Sequence, residues 1–283
     1  MEHMHVVKTV EEVRAVRWAD PALTWGLVPT MGALHEGHLS LVRRARREND
    51  RVGVSIFVNP TQFNDAADLA VYPRTLERDS ALLEVEGVDL VWAPPEEVVY
   101  PPGYQTAVMV AEVTRPLEGA SRPGHFQGVA TVVAKLFNVF QPTRAYFGQK
   151  DAQQVVVIRQ MARDLNFNLE IVVCPIVREA DGLAMSSRNA RLSPEERQAA
   201  TVLHRALSAA GDAWEQGRRD AGDLRALMET TLAVEPLARV DYVSAADPDT
   251  LDEIDGRVER ALLSMAVFVG ETRLIDNMVV GGA

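Results

Sequence analysis

Thiol chemistry is almost absent from this sequence, because its one cysteine, Cys174, has no partner for an internal disulfide. An apolar run surrounds it, which reads as an inert core thiol in a reducing, intracellular compartment. Positive charge is also in deficit. Lys and Arg number 29 against 40 Asp and Glu, a net charge of −11. That balance excludes general affinity for nucleic acid or anionic membrane, while leaving room for a local basic pocket that takes a small anion. No apolar stretch approaches the roughly 18 residues that cross a bilayer, and residues 1–10 lack the apolar segment of a secretory signal. A cytoplasmic protein is expected. Repeats and low-complexity tracts are missing, and the basic stretch 43–47 reads as a solvated helix face. What remains, 283 residues with 47% hydrophobic and 24% charged, suits two ordinary domains or one large one.

Up to about residue 175, short β-rich runs alternate with amphipathic segments. Residues 24–29, 52–58, 89–92, 106–110, 144–147 and 169–173 read as strands; 37–48, 76–86, 128–140 and 151–164 read as helices. The alternation implies βαβ units and a doubly wound, mostly parallel α/β sheet. The loops after Pro29, Val58, Phe147 and Val177 are then expected to face one crevice at the carboxyl ends of the strands. Past residue 180 the texture changes. Two Ala-rich helices, 194–217 and 220–233, precede three strands at 239–244, 261–269 and 273–279. That is a smaller α+β domain, opened by Ser193-Pro-Glu-Glu, a capping serine with proline in the first turn.

Three clusters carry chemistry. In PTMGALHEGHL (29–39), a strand runs through a glycine turn into a helix whose first turn holds His35 and His38. Three residues apart, they share a face, and the helix start adds unpaired N–H groups suited to a triphosphate. Gly32 and Gly37 permit close approach of backbone to ligand. A zinc pair needs a third ligand that no zincin-like spacing supplies, and two incidental polar residues remain the plain alternative. The second cluster, FGQKDAQQ (147–154), places Lys150, Asp151 and Gln154 towards one side of another helix start, where capping alone would also explain them. The third, READGLAMSSRN (178–189), offers hydroxyl donors and a forked cation for polyphosphate, or else a polar interdomain loop.

Taken together, HEGH and MSSR resemble the paired signatures of the class I aminoacyl-tRNA synthetase and nucleotidylyltransferase superfamily. Within it the chain resembles the pantoate–β-alanine ligase (pantothenate synthetase) family. SIFVNPTQF (55–63), YPRT (72–75), RPGHFQGVATVV (122–133) and RLIDN (273–277) complete the match in order along the chain. The resemblance implies a Rossmann-like domain, 1–177, for nucleotide and pantoate, and a C-terminal α+β domain, 178–283, that contributes the Met-Ser-Ser-Arg loop. It further implies condensation of pantoate with β-alanine through a pantoyl-adenylate, releasing AMP and pyrophosphate. ATP with Mg²⁺ would be the co-substrate and the assembly a homodimer, for which the apolar run 52–58 and its helical neighbours are a candidate interface.

By the same resemblance His38, His35, Lys150 and Arg188 would be catalytic, with His38 in the proton-donor role. ATP would meet the turn Met31, Gly32, Ala33 and Leu34, then His35, Glu36, Gly37 and His38. Gly148, Gln149, Lys150, Asp151 and Val177 would lie around the nucleotide, with Met185, Ser186, Ser187 and Arg188. Pantoate would contact Gln62 and Gln154, packing on Met31 and Phe63, with Asn59 a polar neighbour. Arg122 and His125, beside Gln62, would read the β-alanine carboxylate or else stabilise their loop. Asp79 is the nearest match to the family's acidic metal-side cluster, although Arg78 interrupts the acids there. Lys135 reads as a cation snorkelling from an apolar helix. Gln149 stands where the family commonly has Glu, and the synthetase loop's two lysines are missing from MSSR. Two rival functions are an adenylyltransferase of the same superfamily and a non-catalytic nucleotide-binding regulator.

Overall fold

The computed structural model describes residues 3–64 and 66–282, so Met1 and Glu2 of the N-terminal stretch read above lie outside the described residues. The chain divides into two compact units, one of residues 1–148 with 157–174 and one of residues 149–156 with 175–283.

The first unit is built on six strands: β1 (His5–Val7), β2 (Trp25–Thr30), β3 (Arg51–Ile56), β4 (Leu90–Trp92), β5 (Arg144–Gly148) and β6 (Glu170–Cys174). Their order is β1-β4-β3-β2-β5-β6, and every pairing is parallel. The chain therefore winds outward from β2 in one direction and from β5 in the other. The switch point lies between these two strands, where open parallel sheets take their ligands. Five helices matter here: α1 (Val10–Arg17), α2 (Glu36–Glu48), α3 (Leu76–Val85), α4 (His125–Phe140) and α5 (Ala152–Asp164). Leu39, Val42 and Ala45 form one face of α2 and pack with Val28, Val52 and Val54 of the sheet. Each of the buried leucine and valine side chains contributes about 1.5–3 kcal/mol.

Two expectations are corrected in this unit, and two elements were missed. The run 52–58, a candidate subunit interface, lies inside the sheet: Val52 and Val54 are fully buried between β2 and β4, so the strand offers no free face. Residues 106–110 join no ladder. The Val108 N–H donates instead to Thr131 Oγ1 at 2.9 Å, which takes the segment onto α4. β1 and α1 escaped the sequence reading, because β1 is three residues long and His5 and Val6 are exposed.

The second unit holds α6 (Pro194–Ala199), α7 (Val202–Glu215), α8 (Ala221–Leu232) and the antiparallel sheet β7 (Ala238–Ala246), β8 (Ala261–Val269), β9 (Thr272–Val280). The expected helix 194–217 is interrupted at Ala200 and Thr201. There the Thr201 N–H and hydroxyl both donate to the Gln198 carbonyl, at 3.2 and 2.7 Å, and pull the turn tight. Its core sets Leu203, Leu207 and Trp214 of α7 and Leu224 and Met228 of α8 against Leu263, Met265 and Val267 of β8. Among the described residues, no helix is long and apolar enough to cross a membrane.

Candidate active site

The turn after β2 is fixed before any ligand arrives. Thr30 Oγ1 donates to the Ser55 carbonyl at 2.7 Å and accepts the Gly32 N–H at 3.2 Å. Gly32 and Ala33 then take successive left-handed conformations, φ +83° and +51°. The buried carboxylate of Asp79, in the first turn of α3, accepts the N–H groups of Ala33 at 2.8 Å and Leu34 at 3.0 Å. Leu34 drops into the core and His35 becomes the N-cap of α2.

Both histidines close the helix start in an unusual capping box. His35 Nδ1 accepts the Gly37 N–H at 3.2 Å, and His38 Nδ1 accepts the His35 N–H at 3.4 Å. The rings lie 4.1 Å apart between centroids. An Nδ1 that accepts a backbone N–H leaves the proton of the neutral ring on Nε2. The arrangement therefore supplies two N–H donors at a helix N-terminus, a set suited to phosphate oxygens. Glu36, by contrast, is exposed and pairs with Arg43.

Gln62 is oriented from three sides. Its side-chain oxygen accepts from Asn59 Nδ2 at 3.0 Å and its amide nitrogen reaches Met31 Sδ at 3.2 Å. Asn59 is itself buried, giving Nδ2 also to the Gly128 carbonyl and receiving the hydroxyls of Thr61 and Tyr100. The Gln62 carbonyl accepts from His125 Nδ1 at 2.8 Å and from Arg122 at 3.3 Å. Arg122 also lies 3.2 Å from His125 Nε2, and the two side chains buttress one carbonyl. Phe63 packs edge-on against Tyr72 at 5.7 Å. Nearby, a groove of about 590 Å³ is lined by Phe63, Tyr100, Tyr104, His125 and Thr131 among others, large enough for a small ligand. Lys135 sits 4.4 Å over the Tyr104 ring, and burial pushes its pKa below the usual lysine value.

In the second unit, Asn277 of β9 clamps the stretch that carries Lys150. Its side-chain NH₂ donates to the carbonyls of Gln149 at 3.0 Å and Lys150 at 2.9 Å, and its oxygen accepts from Gln149 Nε2 at 3.1 Å. Lys150 and Gln154 are half-buried, and Asp151 is exposed. The loop 177–189 folds back on itself, the Met185 N–H reaching the Val177 carbonyl at 3.0 Å. Arg178 holds the nearly fully buried Asp276 by two bonds, at 2.7 and 3.0 Å. Arg197 pairs with Glu179 at 2.8 Å and with Asp181 at 2.6 Å, and its hydrogen bond keeps Asp181 below the usual carboxylate range. Gly182 has φ +91°, and a Cβ there would lie 2.0 Å from the His204 ring. Ser186 Oγ caps the 3₁₀ turn Ser187–Arg191 by accepting the Arg188 N–H at 3.3 Å. Ser186, Ser187 and Arg188 are half-buried, and Ser186 and Arg188 line a water-sized cavity of about 10 Å³ with Lys150.

Within the first unit hydrogen bonds bring together Met31, Gln62, Arg122 and His125, while His35 and His38 pair with each other at the start of α2; within the second, Lys150 lines a cavity with Ser186 and Arg188. Sequence reasoning gave no role to Asn277, Asp276, Arg197 or Thr75. Thr75, Asp276 and Asn277 fall within YPRT and RLIDN, but their partners are distant in the chain or buried, and the motifs do not show what these side chains hold. Among the described residues no group of three or more His, Cys, Asp or Glu could hold a metal ion, and both oxygens of Asp79 are engaged.

A family model described as pantoate-beta-alanine ligase matches residues 5–279. A pantothenate synthetase of Roseiflexus sp. (strain RS-1) is 61% identical over 277 residues, covering 98% of this chain and 99% of that protein. The crystal structure of pantothenate synthetase from Thermus thermophilus superposes with a TM-score of 0.93 at 51% identity, covering 99% of this chain and 100% of that one. The Francisella tularensis pantoate-beta-alanine ligase, solved in complex with beta-gamma ATP and beta-alanine, gives a TM-score of 0.81 at 36% identity, over 98% and 97% of the two chains.

Proposed function

Since the chain belongs to the pantoate-beta-alanine ligase family, we propose that it joins pantoate to β-alanine with ATP, forming pantothenate, AMP and pyrophosphate by way of a pantoyl-adenylate. The observation that carries the chemistry is that backbone N–H groups engage Nδ1 of both His35 and His38 at the start of α2, which assigns the proton of each neutral ring to Nε2.

In the first half, a pantoate carboxylate oxygen attacks the α-phosphorus and the bond to the β-phosphate oxygen breaks. In the second, the β-alanine amine attacks the acyl carbon, the new C–N bond forms, AMP leaves and the nitrogen gives up a proton. Neither half needs an enzyme nucleophile. Positioning and neutralisation of phosphate charge suffice. His35 and His38 stabilise the leaving pyrophosphate from Nε2–H, and Lys150, Ser186, Ser187 and Arg188 supply the remaining donors and cations. Gly148, Gln149, Asp151, Val177 and Met185 surround the nucleotide. Gln62 and Gln154 bind pantoate, with Met31 and Phe63 against its methyl groups. Arg122 and His125 hold Gln62 by its carbonyl, and Arg122 contributes the charge for the β-alanine carboxylate.

Mg²⁺ would come with ATP, held by phosphate oxygens and water, and would help neutralise the phosphate charge. The proposal retains the domain division 1–177 and 178–283, a homodimer and a cytoplasmic location. Its test is release of AMP and pyrophosphate from ATP–Mg²⁺, with pantoate alone and with pantoate plus β-alanine. Stoichiometric AMP is expected only with both substrates, and His38→Ala is expected to lower kcat by about 10²–10³. Pyrophosphate release independent of pantoate would instead support an adenylyltransferase, and ATP binding without turnover a regulator.

A further inference from the structure

We infer that Asp79 is a positioning residue for the turn that presents the two histidines, and not a ligand of magnesium. Its side chain is wholly buried. Oδ2 accepts the Ala33 N–H at 2.8 Å and the Thr75 hydroxyl at 3.0 Å, and Oδ1 accepts the Leu34 N–H at 3.0 Å. The Arg78 guanidinium stands 3.7 Å from Oδ1. A carboxylate has about four lone-pair sites. Three carry hydrogen bonds, the Arg78 guanidinium already stands beside the group, and the carboxylate has no solvent-exposed surface, so a second cation would have to displace partners already in place.

The amides explain why the charge is there. Gly32 and Ala33 are both left-handed, a conformation costly for alanine. Such a turn points successive N–H groups to one side and makes a concave anion site. The chain fills that site with its own carboxylate. A substrate phosphate therefore meets the histidines, while Ala33 and Leu34 contribute shape to the site but not their N–H groups. Thr75 fits the same account: at the N-cap of α3 it makes no side-chain cap bond, and its hydroxyl donates to Asp79.

The kinetic part of the test rests on the ligase reading, and hydrogen exchange does not. Asp79→Asn, which turns an NH₂ towards groups that are themselves donors, is expected to speed exchange of the Ala33 and Leu34 amides by about tenfold or more. It should also raise KM for ATP about tenfold or more and lower kcat. KM for β-alanine should stay within about twofold, and the Mg²⁺ concentration giving half-maximal rate should not move. In an Ala33→Gly background the same Asp79→Asn penalty should shrink about fivefold, because glycine takes φ +51° without help. An equal penalty in both backgrounds, unchanged exchange, or a raised Mg²⁺ midpoint that excess Mg²⁺ rescues would overturn the inference. If Asp79→Asn does not fold, Thr75→Val carries the test through one lost hydroxyl, with about two- to fivefold effects expected on exchange and on KM for ATP; no change in either would overturn it. Should wild-type protein release no AMP, the ligase reading fails and the exchange data still decide the role of Asp79.

Discussion

Two polar loops, one in each unit, are held in opposite ways. The turn 30–35 has one buried carboxylate gripping two of its main-chain amides, with Thr30 and the histidine caps at its two ends. The loop 177–189 is pinned by several side chains, of which Glu179 and Asp181 keep 32% and 43% of their side-chain surface exposed. Half-exposed pairs are individually weak, typically ~0–1 kcal/mol, so the second loop spreads its anchorage over many contacts. Its exception is Arg178 with Asp276, where the carboxylate is 1% exposed and the guanidinium 21%. A concentrated anchor sets geometry and fails all at once. A distributed one fails by degrees.

The largest effect expected in the second loop is at that exception. Asp276→Ala leaves Arg178 without its buried partner and should cost about 3 kcal/mol or more, read by scanning calorimetry against wild type. A loss under about 1 kcal/mol would place this loop wholly in the distributed class. Gly182→Ala should follow at about 2–3 kcal/mol, since the added methyl meets the His204 ring at φ +91°; a thermal midpoint equal to wild type would refute the clash. The smallest effect is a change of slope with pH. Burial, and secondarily Arg178, push the His204 pKa below its usual value, against the opposing pull of Asp276 and Asp181. The unfolded imidazole takes a proton near pH 6.5, while the folded one resists until lower pH. Between those points the unfolded state binds more protons, so stability falls as pH drops through the window and levels off below it. His204→Gln should flatten that part of a stability–pH curve, and an unchanged curve would remove His204 from the account.

The α/β order was legible because β2, β3, β5 and β6 are apolar runs and α2 and α4 carry clear helical spacing. β1 was not, being too short and exposed for periodicity to register, and 106–110 has strand composition but bonds to a side chain of α4. The histidine pair was legible because a helix start and a three-residue spacing are local facts. The roles of Asp79 and Asn277 were not, since their partners lie about 45 and 127 positions away and only the folded chain joins them. Arg122 and His125 show the intermediate case. The sequence marked them as polar and close together, and the structure sets both against the Gln62 carbonyl.

A carboxylate that grips main-chain amides is blind to the side chains those amides carry. Position 33 is therefore free to drift in identity within whatever residues tolerate a left-handed torsion, asparagine and glycine foremost. Position 79 has no such freedom: the next longer acid would have to find room where the present one is already wholly enclosed. Substitution at this turn is thus expected to be lopsided, tolerated at the left-handed position 33 and rejected at the buried carboxylate beneath it.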